Sequence, residues 1–188
     1  VEPLPALLHL YVAAADAARH SSKAMIIRSL IALFTLSLIA GCSSQEDTAT
    51  DSRPRHEIAA ENAAKGSAFM EANAKQPGIV VLPSGMQYKI IREGSGPSAK
   101  IDSNVTVDYR GTTIEGREFD SSYARGNPMI FQANRVIPGW TEALQLMQEG
   151  SKWQLFIPEN LAYGERGAGA AIGPRETLVF EVELLKVH

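Results

Sequence analysis

The sequence predicts an α+β domain over residues 79–188, an antiparallel twisted β-sheet wrapped around one short α-helix. Two observations carry this reading. Segments at Met86–Ile91, Asn104–Gly111, Ser151–Pro158 and from Leu178 onward alternate apolar and polar residues with the period of two that half-buried strands require. Between them a single stretch opening at Pro138 spaces its apolar residues for a helix. Turn clusters such as Gly94-Ser95-Gly96-Pro97 keep the periodic segments short. No internal repeat is visible.

Residues 1–41 read as an upstream segment and a lipoprotein signal peptide. The basic start Met25-Ile26-Ile27-Arg28 precedes an apolar run from Leu30 to Gly41, the order of a secretory leader. The run is too short to span a bilayer, for which about 20 residues are needed. Synthesis is expected to begin at Met25, with residues 1–24 an unused upstream stretch. Ile39-Ala40-Gly41-Cys42-Ser43-Ser44 resembles the lipobox of bacterial lipoproteins. That resemblance implies cleavage before Cys42, diacylation of its thiol and acylation of the new amine with palmitate-type chains. Several chains anchor stably where one is marginal. Ser43 is not the aspartate that retains enterobacterial lipoproteins in the inner membrane, so the expected location is the outer membrane, facing the periplasm.

Residues 42–56 are small and polar and predict a flexible tether. Residues 57–78 predict a helical spacer, helix running from about His56 to Lys75 in Ala, Glu, Asn and Lys and ending at Pro77-Gly78. Ile58, Phe69 and Ala72 share one side, broken by Lys65, a stripe too thin to dock strongly.

Within the domain, Val105, Val107 and Tyr109 face one way and Thr106, Asp108 and Arg110 the other. Trp153, Leu155 and Ile157 alternate with Lys152 and Gln154. The last strand turns Leu178, Phe180, Val182 and Leu184 inward. The helix is expected from Pro138 to about Gln148, with Pro138 suited to a first turn and Gly150 to a stop. Trp140, Leu144 and Met147 form its apolar face.

Composition narrows the chemistry. The 188 residues are 45% hydrophobic and carry a net charge of -3 without a basic block, so nucleic acid is not an expected partner. One cysteine excludes an internal disulfide. His9, His20, His56 and His188 have no companions at metal-ligand spacing, which disfavours metal, Cys/His and Ser/His catalysis.

Val105-Thr106-Val107-Asp108-Tyr109-Arg110-Gly111, Phe119-Asp120-Ser121-Ser122, Val136-Ile137-Pro138-Gly139-Trp140, Pro158-Glu159-Asn160-Leu161-Ala162-Tyr163-Gly164 and Thr177-Leu178-Val179-Phe180-Glu181-Val182-Glu183-Leu184-Leu185 occur in that order. They resemble the FKBP-type peptidyl-prolyl cis-trans isomerases. Leu82-Pro83-Ser84-Gly85-Met86-Gln87-Tyr88 looks like the first strand of the Mip/FkpA-like subgroup of the bacterial envelope, and the resemblance covers about residues 57–188.

The chemistry this implies needs no cofactor or metal. Rotation about X–Pro is resisted by amide resonance, and an apolar, water-poor bowl with fixed hydrogen bonds favours the twisted, less polar transition state. By resemblance, Trp140 is the floor and Tyr109, Phe119, Val136, Ile137 and Phe180 are walls. Ile137 N–H and the Tyr163 hydroxyl meet substrate carbonyls. Asp120 sits at the rim with Arg125, and Ile172 closes the far side. Met129 stands where the family commonly has an aromatic wall residue. Ala168 and Ala171 replace larger loop residues and should soften one wall. The expected catalytic set is thus Asp120, Tyr163, Ile137 and Trp140.

The resemblance implies proline-containing unfolded or nascent envelope proteins as substrates, a macrolide of the FK506 type as inhibitor, and a membrane reached through the lipid anchor. The other reading is a chaperone-like binding module with little isomerase activity. Degenerate members usually lose the floor tryptophan or the rim Asp and Tyr, and Trp140, Asp120 and Tyr163 are all present here.

Overall fold

The structure is a computed structural model that describes residues 53–188. The leader, Cys42 and the tether up to residue 52 lie outside the described residues. In chain order the elements are α1 (Arg55–Asn73), β1 (Ile79–Val81), β2 (Gln87–Arg92), β3 (Asn104–Thr113), β4 (Glu118–Ser121), the single-turn α2 (Ser122–Arg125), β5 (Met129–Gln132), α3 (Pro138–Leu146), β6 (Lys152–Ile157) and β7 (Leu178–Val187). The strands form one antiparallel sheet in the order β1-β2-β6-β7-β3-β4, with β5 also on β3.

The alternation seen in the sequence becomes the two faces of this sheet. Val105, Val107, Tyr109, Trp153, Leu155, Ile157, Leu178, Phe180, Val182 and Leu184 are all buried and share one core with Trp140, Ala143, Leu144 and Met147 of α3. Each fully buried large aliphatic contributes about 1.5–3 kcal/mol, so the helix is held by its inner stripe. It stops at Leu146, two residues before the expected Gln148, because Met147 is already extended (ψ 142°) and is drawn into the core.

β3 gives one edge to β7 and divides the other. Its Asn104–Val107 half pairs with β5, and Arg110–Thr112 pairs with β4. Between them α2 breaks the outer strand. Ser121 caps α2 by accepting from Ala124 N at 3.3 Å, and Gly126 ends it in the left-handed region (φ 73°). The fully buried Ser122 replaces the missing strand, its Oγ accepting from Tyr109 N at 2.9 Å and donating to Asp108 Oδ1 at 2.7 Å. The Tyr109 N–H thus keeps an acceptor where the outer strand is interrupted.

α1 departs from the expected weakly docking spacer. It begins at Arg55, and Ala72, expected on its apolar side, is exposed. Instead Ala59, Gly66 and Met70 are buried, and Phe69 lies 6.0 Å from Phe156, ring centre to ring centre. A Cβ on Gly66 would fall 2.3 Å from Thr177 Oγ1, so only glycine admits this approach. Polar side chains complete the contact. Asn62 Nδ2 donates to Pro174 O (2.8 Å), Asn73 Nδ2 to Gln87 Oε1 (2.9 Å) and Gln87 Nε2 to Met70 O (2.8 Å). Arg55 reaches the carbonyls of Glu165 and Arg166. Small residues and amides bind this helix, a pattern that an apolar stripe does not register. No helix among the described residues is long and apolar enough to cross a membrane.

Candidate functional site

α3 begins with Pro138 at its first turn and sends Trp140 to the floor of a bowl of about 380 Å³. Three rings meet the indole edge-on: Tyr109 from β3 at 5.2 Å, Phe180 from β7 at 5.4 Å and Phe131 from β5 at 5.8 Å. Phe119 from β4 stands edge-on to Phe180 at 5.5 Å. Such T-shaped pairs add to simple burial because ring edge and ring face carry opposite partial charge. Gly111 makes the cluster possible. It lies opposite Phe180 in the β3–β7 register, and a Cβ there would come within 2.6 Å of the Phe119 ring and 2.8 Å of Phe180.

The break at α2 places a polar group on the rim. The Tyr109 hydroxyl donates to Asp120 Oδ2 at 2.5 Å and accepts from Arg125 Nη2 at 2.8 Å, while Arg125 Nη1 bonds Asp120 Oδ1 and closes the triangle. The guanidinium also lies 5.5 Å from the centre of the Tyr109 ring. Burial alone would raise the Asp120 carboxyl, but the bonds from Tyr109 and Arg125 and the Arg125 charge outweigh it and hold it below the ordinary carboxylate range. Burial and the bond to Asp120 push the Tyr109 phenol up. Asp120 is therefore a fixed anion, oriented by two donors.

Two other donors have no such partner. Ile137 N–H precedes the first intrahelical bond of α3, and the Tyr163 hydroxyl stands on the loop after β6; neither has a hydrogen-bond partner among the described residues. Burial raises the Tyr163 phenol, with the Asp120 charge adding to it, so it is a neutral donor at physiological pH. The far wall is a small loop in which Ala168 N donates to Ile172 O (2.9 Å) and Ile172 N to Ala168 O (3.1 Å). It turns Ile172, Ala168 and Ala171 to the bowl, and Arg117 Nη1 holds its outer side at Ala171 O (2.8 Å).

The sequence-predicted residues Trp140, Tyr109, Phe119, Val136, Ile137, Phe180, Asp120, Tyr163 and Ile172 all line this bowl, and Arg125 touches it through Asp120 and Tyr109. Met129 does not line it. The register sets Met129 opposite Val107 and Phe131 opposite Val105, so Phe131, on the same strand face two residues on, is the aromatic wall. Sequence reasoning also passed over Arg135, which lines the bowl and whose guanidinium has no partner among the described residues. Its signal was available, a cation immediately before Val136-Ile137-Pro138-Gly139-Trp140. Among the described residues no three His, Cys, Asp or Glu side chains converge as a metal site.

A family described as FKBP-type peptidyl-prolyl cis-trans isomerase matches residues 96–185, and one described as the domain amino terminal to it matches residues 15–90. The chain is 57% identical over 129 residues to the outer membrane protein MIP of Legionella longbeachae, covering 69% of this chain and 55% of that one. It is 46% identical over 153 residues to the macrophage infectivity potentiator of Trypanosoma cruzi, covering 80% and 78%. The crystal structure of FkpA from Escherichia coli superposes with a TM-score of 0.69 at 45% identity, covering 71% of this chain and 62% of that one. The chain spans about half to three fifths of the length of the first curated relatives it matches.

Proposed function

The chain belongs to the FKBP-type peptidyl-prolyl cis-trans isomerase family, and from that premise we propose that it accelerates cis–trans isomerisation of X–Pro bonds in unfolded or nascent proteins of a bacterial cell envelope. One observation carries this reading: two unpartnered donors, Ile137 N–H and the Tyr163 hydroxyl, stand at the mouth of an aromatic bowl floored by Trp140. Isomerisation breaks no bond. The barrier of about 18–20 kcal/mol is amide resonance, so a nucleophile or general base is not required. A proline ring seated on Trp140 loses water, which disfavours the planar, dipolar amide relative to the twisted one. Ile137 N–H and Tyr163 O–H hold the flanking carbonyls. Asp120, fixed by Tyr109 and Arg125, presents a charge at the rim that needs no reorganisation as the amide twists. The bowl would also take a macrolide of the FK506 type, with Ala168 and Ala171 shaping that affinity.

The envelope location rests on the leader and on Cys42. The Legionella relative is named an outer membrane protein. For this chain we infer acylation of Cys42 and display on the periplasmic face of the outer membrane. A Cys42→Ser chain should partition away from membranes while keeping its isomerase rate; retention after a carbonate wash would overturn the anchor.

The test of the activity is a protease-coupled or NMR-exchange assay on residues 53–188 with a panel of X–Pro peptides. Acceleration lost on adding an FK506-type macrolide is expected. No acceleration, with suppression of client aggregation, would make the protein a chaperone-like binding module.

A further inference from the structure

The bowl ends at Val136, and a second depression begins there. Val136 lines both the proline bowl and an open trough of about 640 Å³. The floor of that trough is the outward stripe of α3, Pro138, Thr141, Gln145 and Leu146, on the helix face opposite the buried Gly139, Trp140, Ala143 and Leu144. Leu82, from the turn between β1 and β2, forms its outer wall. Leu146 is 45% exposed, whereas Trp140, Ala143 and Leu144 of the same helix are buried. An exposed leucine alone needs no explanation. This one shares a concave surface with Leu82, Val136 and Pro138, directly continuous with the proposed catalytic bowl.

A folding client does not end at its proline, so its chain must leave the bowl in some direction. The unpartnered Ile137 N–H sets that direction. A substrate carbonyl held there lies beside Val136, at the lip of the trough. Beyond it an extended chain advances about 3.3 Å per residue and returns every second side chain to the same face. The charges fit a defined occupant. Glu142, which accepts from Ser84 Oγ at 2.6 Å, gives the trough an acidic edge. Asn134 there has an amide with no partner among the described residues, suited to a passing peptide backbone.

Building on the isomerase reading above, we propose that this trough is an extended substrate subsite. It takes an apolar, non-acidic side chain about two residues from the isomerised proline, on the flank whose carbonyl Ile137 holds. The site thereby selects unfolded chain over isolated X–Pro units.

The experiment compares a blocked four-residue Leu–Pro peptide with versions lengthened by three apolar residues on one flank or the other. The full domain, residues 53–188, is assayed as wild type, Leu146→Glu and Gln145→Trp. Both substituted positions are exposed, so the fold should tolerate them. Lengthening one flank should raise kcat/KM roughly fivefold to tenfold, mainly through KM, as partial burial of one aliphatic side chain would. Both variants should lose that rise and leave the four-residue peptide unaffected. In parallel, the backbone amide signals of Thr141, Gln145 and Leu146 should shift with the lengthened peptide and not with the short one. No rise on either flank, or a rise that survives both variants, overturns the subsite. A wild type that fails on the short peptide overturns the isomerase reading instead, and the amide shifts then decide the trough alone: shifts with the long peptide sustain it, and their absence overturns it.

Discussion

The Tyr109 hydroxyl donates to the Asp120 carboxylate across 2.5 Å, from the unbroken strand β3 to β4, the outer strand that α2 cuts short. A tyrosine expected only as a wall is thus also the support of the rim anion, and the Asp120 charge is oriented by the same residue that packs on Trp140.

Asp120→Leu should lower kcat/KM by about tenfold, below the roughly 10²–10³ of an enclosed oxyanion contact because the Asp120 side chain is 41% exposed. Tyr163→Phe, which removes an unpartnered hydroxyl, should lower it by a similar factor. Because both groups are near the surface, melting temperature should move little. Peptide isomerisation and calorimetry on the two variants check this, and intact isomerisation in both would refute the site assignment.

The two inward-facing apolar positions on β5, Met129 and Phe131, should separate. Phe131→Ala removes a ring that stands 5.8 Å from Trp140 and lines the bowl, whereas Met129→Ala acts outside it. Isomerisation should therefore fall strongly in the first and barely in the second, with stability lowered in both. Trp140→Ala should harm activity and stability together, at about 3–5 kcal/mol for a large buried ring.

An apolar residue before proline should be preferred, because a buried charge loses hydration. Leu–Pro should exceed Glu–Pro in kcat/KM by roughly tenfold or more, following the scale of single-side-chain burial. Arg135, which lines the bowl and whose guanidinium has no partner among the described residues, offers an acidic substrate a cation. Arg135→Ala should therefore widen the Leu/Glu ratio, as a matched pair of peptides would measure.

Glu176 is a site of pH-dependent stability. Burial pushes its carboxyl up, against the lowering influence of the Gly173 N–H and the Arg117 charge 3.6 Å away, and Oε2 has no hydrogen-bond partner among the described residues. The folded state therefore holds this proton more tightly than the unfolded chain does. Its contribution favours folding below the unfolded value and is lost as pH rises through the folded value. Glu176→Gln should melt higher than wild type at neutral pH, and the difference should shrink as pH falls into the carboxylate range. A melting series across that range measures it.

How much of this was legible in the sequence depends on length of element and kind of contact. β2, β3, β6, β7 and α3 are long enough to display their period, but Gln87 and Phe156 are buried against it because α1 covers them on the other face. β1, β4 and β5 have only 3, 4 and 4 residues, too few for a period to register. Met129 was assigned the place of Phe131 because both face the same way, and only pairing with β3 tells which one reaches Trp140. The bowl residues were recognisable from blocks shared with a family. The trough was not, since no single residue in it is unusual until the fold sets Leu82 against the outside of α3.

The grip of α1 on the loop that walls the bowl has a thermodynamic consequence. Arg55 and Asn62 hold backbone carbonyls at Glu165, Arg166 and Pro174, on either side of Ile172. Releasing the helix would leave those carbonyls to water and free the wall, so helix undocking and ligand binding draw on one free energy. Coupling of this kind is reciprocal. A ligand that seats against Ile172 should slow hydrogen exchange throughout α1, 19 residues that it never touches. Cutting the chain at residue 78 should weaken the same ligand by the matching factor. On that expectation α1 would be a remote contributor to the affinity of the bowl.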